Sequence, residues 1–406
     1  MSSNSPSTAP RIPRSILPSK GKMAFLAKSL INKFTPSSST TDLSTFTKAR
    51  TPTTLFPVTD PEVDGEECLR DCDSCSVKYP RKFEVDEKEE LFGHVNGWSR
   101  HVLCGTGRTD WVRDVSDEKG SLMEAFRTYN DKVENGKLML SASNIPIDES
   151  PTVPNSSSVL LLPSFTIIEN VTPTTIPDLI THILNPSVTN TTPLSPATQP
   201  HSNGTTTSSL PSQTHTNGDS HPPLPPPPTT SLPNSTSLPH GLTTRPCPHN
   251  YLILLCSQKT RDARCGQSAP LLLKEFERHL RPLGLQRDLH DTRPGGVGIY
   301  FISHVGGHKF AANVMIYRRA TAPVLDGPAC EIGVEGKDGK ENGEGKGMGK
   351  GEAHRGLGAG QCIWLARVRP EDCENIVRYT VLQGKVLKPE RQLRGGFDRS
   401  KGLASW

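Results

Sequence analysis

The chain has 406 residues, an apolar fraction of 33%, 37 prolines, 34 glycines and a formal net charge of +4. That length holds two or three domains, but the composition excludes a chain that is packed core throughout. The small charge, with no segment interleaving Lys and Arg with aromatics, excludes a dedicated nucleic-acid face, and the longest apolar runs, YLILLC and SVLLLPSF, are too short to span a bilayer.

Residues 1–64 read as a disordered basic segment. Its first 41 residues carry no Asp or Glu, and Met23, Leu26, Ala27, Leu30, Ile31 and Phe34 fall on one helical face. The pattern resembles a mitochondrial transit peptide; the plainer alternative is a disordered tail with a short surface helix, with Met23 as a second possible start. Residues 65–184 then give strand HVLCGTG, helix SLMEAFRTYNDKV, strand KLMLSASN, strand SVLLLPSF and helix TIPDLITHIL. Residues 185–245, rich in Pro, Ser and Thr and containing HPPLPPPPTT, read as a linker. Residues 246–406 repeat the earlier order with YLILLCS, PLLLKEFERHL, GVGIYFISH, AANVMIYRR, QCIWLARV and PEDCENIVRYTVL, interrupted by a Gly, Lys and Glu-rich insert at 320–359 expected to be a disordered loop.

Strand, helix, strand, strand, helix, given twice, predicts an α/β fold of two thioredoxin-like domains in tandem joined by long disordered linkers. The repeat sets Cys104 over Cys256 and Asn144 over His304, so the first copy is degenerate.

Ten cysteines with no signal peptide, single or in close clusters, point to a reduced compartment and to metal or redox chemistry. The sharpest constellation is Cys256 and Cys265 in CSQKTRDARCG followed by His304 and His308 in HVGGH. Cys256 and His304 end strands, where an open α/β sheet presents side chains to a ligand crevice. Lys259, Arg261, Arg264 and a helix expected from Ala269 would favour thiolate, and Gly306 and Gly307 permit a turn that aims both imidazoles at one point. Each residue alone reads more readily as an inert core thiol or a hydrogen-bonded histidine; their conjunction is the signal. Zinc and a 2Fe-2S cluster both take this ligand set, and the eight-residue loop between the cysteines favours the larger group.

The strings CSQKTRDARCG, ERHLRPLGLQRDLHDTRPGGVGIYFISHVGGHKFAANVMIYRR and IWLARVRPEDCENIVRYTVLQGKVLKPERQLRGGFDRSKGLASW resemble the fungal sucrase/ferredoxin-like family. The resemblance implies a thioredoxin-like ferredoxin that holds a 2Fe-2S cluster through Cys256, Cys265, His304 and His308. Two neutral imidazoles in place of two thiolates imply a Rieske-like potential, roughly −150 to +300 mV against about −400 mV for all-cysteine plant-type clusters. Protonation of the free ring nitrogens on reduction would make electron transfer proton-coupled.

Cys68, Cys72 and Cys75 in CLRDCDSC form a weaker candidate metal site that His94, His101 or Cys104 would complete, against the plain reading of a cap on the first domain. The ending Ala-Ser-Trp406 resembles a terminal tripeptide read by the cytosolic iron–sulfur assembly machinery. It favours a cytoplasmic location, with the mitochondrion as the alternative. The run PPLPPPP is either a spacer or a ligand for a polyproline-binding partner, which would suit an actin connection. The leading expectation is an electron carrier in cellular redox homeostasis, not an enzyme, served by a reductase and an acceptor that the sequence does not name. A thiol–disulfide oxidoreductase and a zinc-stabilised adaptor are the alternatives. No acidic pair is placed for glycoside cleavage.

Overall fold

The computed structural model describes residues 46–148, 151–194, 238–325 and 358–406, all within one compact unit. The candidate targeting helix, the proline run and most of the expected linker and insert lie outside these residues.

Among the described residues thirteen strands form one mixed sheet. In chain order they are β1 (Thr47–Lys48), β2 (Arg100–Gly105), β3 (Leu138–Ser143), β4 (Ser157–Leu162), β5 (Thr166–Val171), β6 (Thr243–Pro246), β7 (Tyr251–Cys256), β8 (Gln286–Arg287), β9 (Val297–Ile302), β10 (Val314–Arg319), β11 (Ala359–Leu365), β12 (Leu393–Asp398) and β13 (Leu403–Ala404). The spatial order is β1-β13-β12-β11-β10-β7-β9-β3-β2-β4-β5-β6, with β8 beside β9. The continuous apolar run of β7 is explained by its place: every residue is buried, because both faces of the sheet are covered.

The two halves mirror each other across one joint. β7 runs parallel to β9 and antiparallel to β10, just as β2 runs parallel to β3 and antiparallel to β4. β3 and β9 meet antiparallel at Ser143 and Ile302, so the expected repeat is real in strand order, but both copies share a single sheet.

The joint also corrects the expected alignment. Ser143 pairs with Gly105 and Ile302 with Cys256, so Gly105, not Cys104, occupies the place of Cys256. By the same register Asn144 matches Ser303 and not His304. A slip of one residue reverses which face a strand side chain takes. Cys104 accordingly packs with Val102 under the helix Leu122–Thr128, as Leu255 packs with Ile253 under the helix Ala263–Leu280.

Three apolar clusters hold this arrangement. Each half has one beneath its helices, and a third, containing Leu103, Leu160, Leu254, Met315 and Trp364, draws on both halves. The sheet curls around that shared core, since His101 on β2 reaches Tyr317 on β10 across three intervening strands. His101 is fully buried between the Tyr317 hydroxyl at 3.1 Å and the Ser141 hydroxyl at 2.9 Å, which disposes of it as a metal ligand.

Burial lowers the His101 pKa to about 3. Below an unfolded value of about 6.5 the unfolded chain therefore binds a proton that the folded chain refuses, so stability falls as pH drops from about 6.5 towards 3, by up to about 1.4 kcal/mol per unit. Urea midpoints taken from pH 7 to pH 4.5 should fall less steeply in His101→Gln than in the parent.

The domain boundaries also move. Residues 46–64, expected to be disordered, add β1 to the sheet and bury Ala49, Leu55 and Phe56 in the core of the second half. Residues 65–98, expected in the first domain, run as a strap over the second: Cys72 N–H donates to the Glu371 carbonyl, the Tyr79 hydroxyl to the Val368 carbonyl and Asp86 N–H to the Lys309 carbonyl. The edges of the expected linker are likewise structured, with Asn190 buried beside Ser99 and β6 paired to β5. These contacts join positions far apart in sequence, which local composition does not encode. Among the described residues no helix is long and apolar enough to cross a membrane.

Candidate functional site

β7 delivers Cys256 to the end of the sheet and β9 delivers His304 two residues past its own end. The helix expected from Ala269 begins earlier, at Ala263, with Asp262 as its N-cap accepting from Arg264 N–H at 2.9 Å. Cys265 is thus the third residue of the helix, aimed from its first turn at Cys256. Pro270, which read as a helix start, lies inside.

The four residues converge. Cys256 and Cys265 are 2% and 1% exposed and pack with Ala311, beneath Phe83 and Val85 of the strap. Their thiols are hydrogen-bonded to each other, and His304 also bonds to Cys256. The Cys265 thiol and then His304 pull the Cys256 pKa down, while Cys265, left sharing its proton with Cys256 in a buried place, is pushed up. The His304 and His308 rings lie 5.0 Å apart, and the Nδ1 of each is buried without a hydrogen-bond partner. Burial lowers the His308 pKa, as does its neighbour His304. Two ring nitrogens without a partner among the described residues, beside two buried thiols, are a donor set that the protein leaves partly unsatisfied.

Several residues that sequence reasoning did not single out position this set. The Gln258 side chain accepts from His304 N–H at 2.9 Å and donates to the Val112 carbonyl at 2.6 Å, tying the HVGGH turn to the first half. Behind the turn, the buried Arg394 guanidinium donates to the Gly306 carbonyl at 3.0 Å and to Asn313 Oδ1 at 2.9 Å while lying 4.3 Å from the Trp364 ring centre. Burial lowers the Arg394 pKa to about 10, against the pull of Cys256. Arg264, expected to supply positive charge, instead spends it on Asp262 through two contacts at 2.9 and 2.8 Å. An Arg inside the apolar stretch QLRGGF is the signal that would have found Arg394.

Gly307 has φ +68°, and a Cβ there would stand 2.6 Å from the Arg394 guanidinium carbon. Gly307→Ala should cost about 1–2 kcal/mol in urea unfolding, the price of a left-handed non-glycine residue.

Among the described residues the CLRDCDSC cysteines form no three-donor group, although Cys72 and Cys75 line one cavity. Cys68 is buried, Cys75 Sγ donates to the Val77 carbonyl at 3.0 Å, and only Cys72 meets other donors. His94 is exposed and Cys104 is buried in a separate apolar cluster, so neither completes such a site.

Comparison with known proteins decides the family, for residues 91–395 match the sucrase/ferredoxin-like family. The chain belongs to that family. Its four converging residues all lie within the matched span. The chain is 57% identical over 67 residues to actin patches distal protein 1 of Saccharomyces cerevisiae, covering 16% of this chain and 21% of that protein. It is 31% identical over 140 residues to altered inheritance of mitochondria protein 32 of Clavispora lusitaniae, covering 34% and 33%, and 30% identical over 137 residues to its Debaryomyces hansenii counterpart, covering 34% and 33%. The chain thus spans about a fifth to a third of the length of these relatives. No solved structure matches.

Proposed function

We propose that this family member is an electron carrier whose second half is a thioredoxin-like ferredoxin, binding a 2Fe-2S cluster through Cys256, Cys265, His304 and His308. The observation that carries the reading is the pair of buried, unpartnered Nδ1 atoms on histidines that lie beside two buried thiols in mutual contact. When bound, such a cluster supplies a one-electron couple. The chain's own residues exclude water with Phe83, Val85 and Val305, hold the histidine turn with Gln258, Asn313 and Arg394, and place one buried cation beside Cys256.

The strand orders β9-β7-β10-β11 and β3-β2-β4-β5 support two thioredoxin-like copies, the first without the donor set. A thiol–disulfide exchange role is less well supported, because exchange needs an accessible thiolate and both thiols are buried. The relative named for actin patches favours a cytoplasmic location, and those named for mitochondrial inheritance keep the mitochondrion as the alternative. Purified protein should be brown, with iron and acid-labile sulfide in equal amounts and little zinc. A colourless, zinc-loaded protein overturns the reading. The midpoint potential should fall as pH rises where the imidazoles titrate, and a flat profile removes the proton coupling.

A further inference from the structure

Beyond the cluster site, a second donor group is built where the strap crosses the second half. Cys72 Sγ, a ring nitrogen of His279 and a carboxylate oxygen of Glu374 all lie within 4.8 Å of one another. They come from three separate elements: the strap, the last turn of the helix Ala263–Leu280, and the start of the short helix Cys373–Asn375. None belongs to the CSQKTRDARCG or HVGGH loops, and Cys72 precedes the span that matches the family.

The group is held in place by contacts that do not use its donor atoms. Cys72 N–H donates to the Glu371 carbonyl at 3.0 Å, and Asn375 Nδ2 donates to the carbonyls of Glu67 and Arg70 at 2.8 and 2.9 Å. Ser76 N–H donates to Glu275 at 3.0 Å, fixing the far side of the loop. A cation already sits on these donors: Arg278 Nη2 lies 3.5 Å from Cys72 Sγ and 2.9 Å from His279 Nε2. Its Nε and Nη2 both lie 2.8 Å from a Glu275 carboxylate oxygen and its Nη1 donates to Ser74 Oγ at 3.3 Å, so a metal ion taking these donors must move Nη2 off Cys72 and His279 and loosen its hold on Glu275.

We propose that Cys72, His279 and Glu374 bind one borderline divalent metal ion, zinc foremost, which displaces the tip of Arg278 and clamps the strap to the second half. One thiolate, one imidazole and one carboxylate suit zinc, leaving the fourth tetrahedral position to water. Binding releases the Cys72 proton to solvent. The clamp bears on the cluster site without touching it, because the same strap carries Phe83 and Val85 over Cys256 and Cys265.

The test uses the full chain with Cys256→Ser and His304→Ala introduced to remove the rival donors, titrated with zinc against a chromogenic chelator. One zinc ion should bind, and Cys72→Ser or His279→Ala should each weaken it by more than about tenfold. Cys68→Ser and Cys75→Ser should leave it unchanged, and Arg278→Leu should tighten it. If the doubly substituted chain does not fold, cobalt(II) added to the otherwise unaltered chain serves instead: its thiolate charge-transfer band should vanish in Cys72→Ser and persist in Cys75→Ser. Absence of bound metal, or affinity and spectra indifferent to Cys72 and His279, overturns the proposal. Because the first titration lacks the cluster ligands, its outcome is independent of the electron-carrier reading.

Discussion

Cys256→Ser, Cys265→Ser and His304→Ala are each expected to yield a colourless protein, with iron and sulfide per chain down by about tenfold or more, since each removes a ligand that no neighbour replaces. Cys256 should be the most severe, because it touches both Cys265 and His304, so its loss unties the set at its centre. His308, with 39% of its side chain accessible, is far more exposed than the two cysteines and should tolerate replacement better than they do. His308→Cys is the informative change. It restores a ligand but trades a neutral imidazole for a thiolate, so the cluster should survive with a lower potential, moving towards the about −400 mV of all-cysteine sites. Retention of full iron and sulfide in Cys256→Ser would count against the ligand assignment.

Arg100→Ala should be the most damaging single change away from the site. Arg100 opens β2 and is 1% exposed. Its guanidinium meets no carboxylate among the described residues; it donates instead to the carbonyls of Glu134, Asn185 and Ser187 at 3.1, 2.8 and 2.7 Å and to the Ser187 hydroxyl at 2.8 Å. Truncation would orphan three carbonyls that hold the chain at Asn185 and Ser187 against Glu134, just before β3. At about 1–3 kcal/mol for each unsatisfied buried group, partly relieved by entering water, the loss should be about 3–5 kcal/mol. Arg100→Lys cannot reproduce the fork and should recover only part of it. Urea unfolding followed by tryptophan fluorescence measures both, and a cost below about 1 kcal/mol for the alanine variant would show that these bonds are replaceable.

The legible part of this molecule is what short-range pattern encodes. YLILLC and GVGIYFISH read as buried strands because they are continuous apolar runs between turn residues, and the recurrence of strand, helix, strand, strand was visible in both halves. The candidate donors stand out in the sequence because two rare residue types recur just after two apolar runs, although only Cys256 ends a strand and Cys265 lies in the following helix. What was not legible depends on distance or on phase. The repeat was read one residue out of register, because HVLCGTG and YLILLCS both carry a cysteine near their ends and the matching of like residues overrode the pairing that the sheet imposes. The early helix start was hidden by Pro270, a residue usually found at first turns. The CLRDCDSC motif drew attention to three neighbouring thiols, whereas the partners that Cys72 meets lie in elements remote in sequence.

Gly105 carries one last implication. It stands where the second half has Cys256, and a Cβ there would lie 2.8 Å from the Ser158 carbonyl oxygen and 3.2 Å from Ile145. Ile145 in turn fills the position that His304 holds in the other copy. The first half has therefore closed over the place where the second half presents its buried thiol. Installing a cysteine there by point substitution is opposed by backbone as well as side chain, so the two copies cannot be made equivalent without rebuilding a loop.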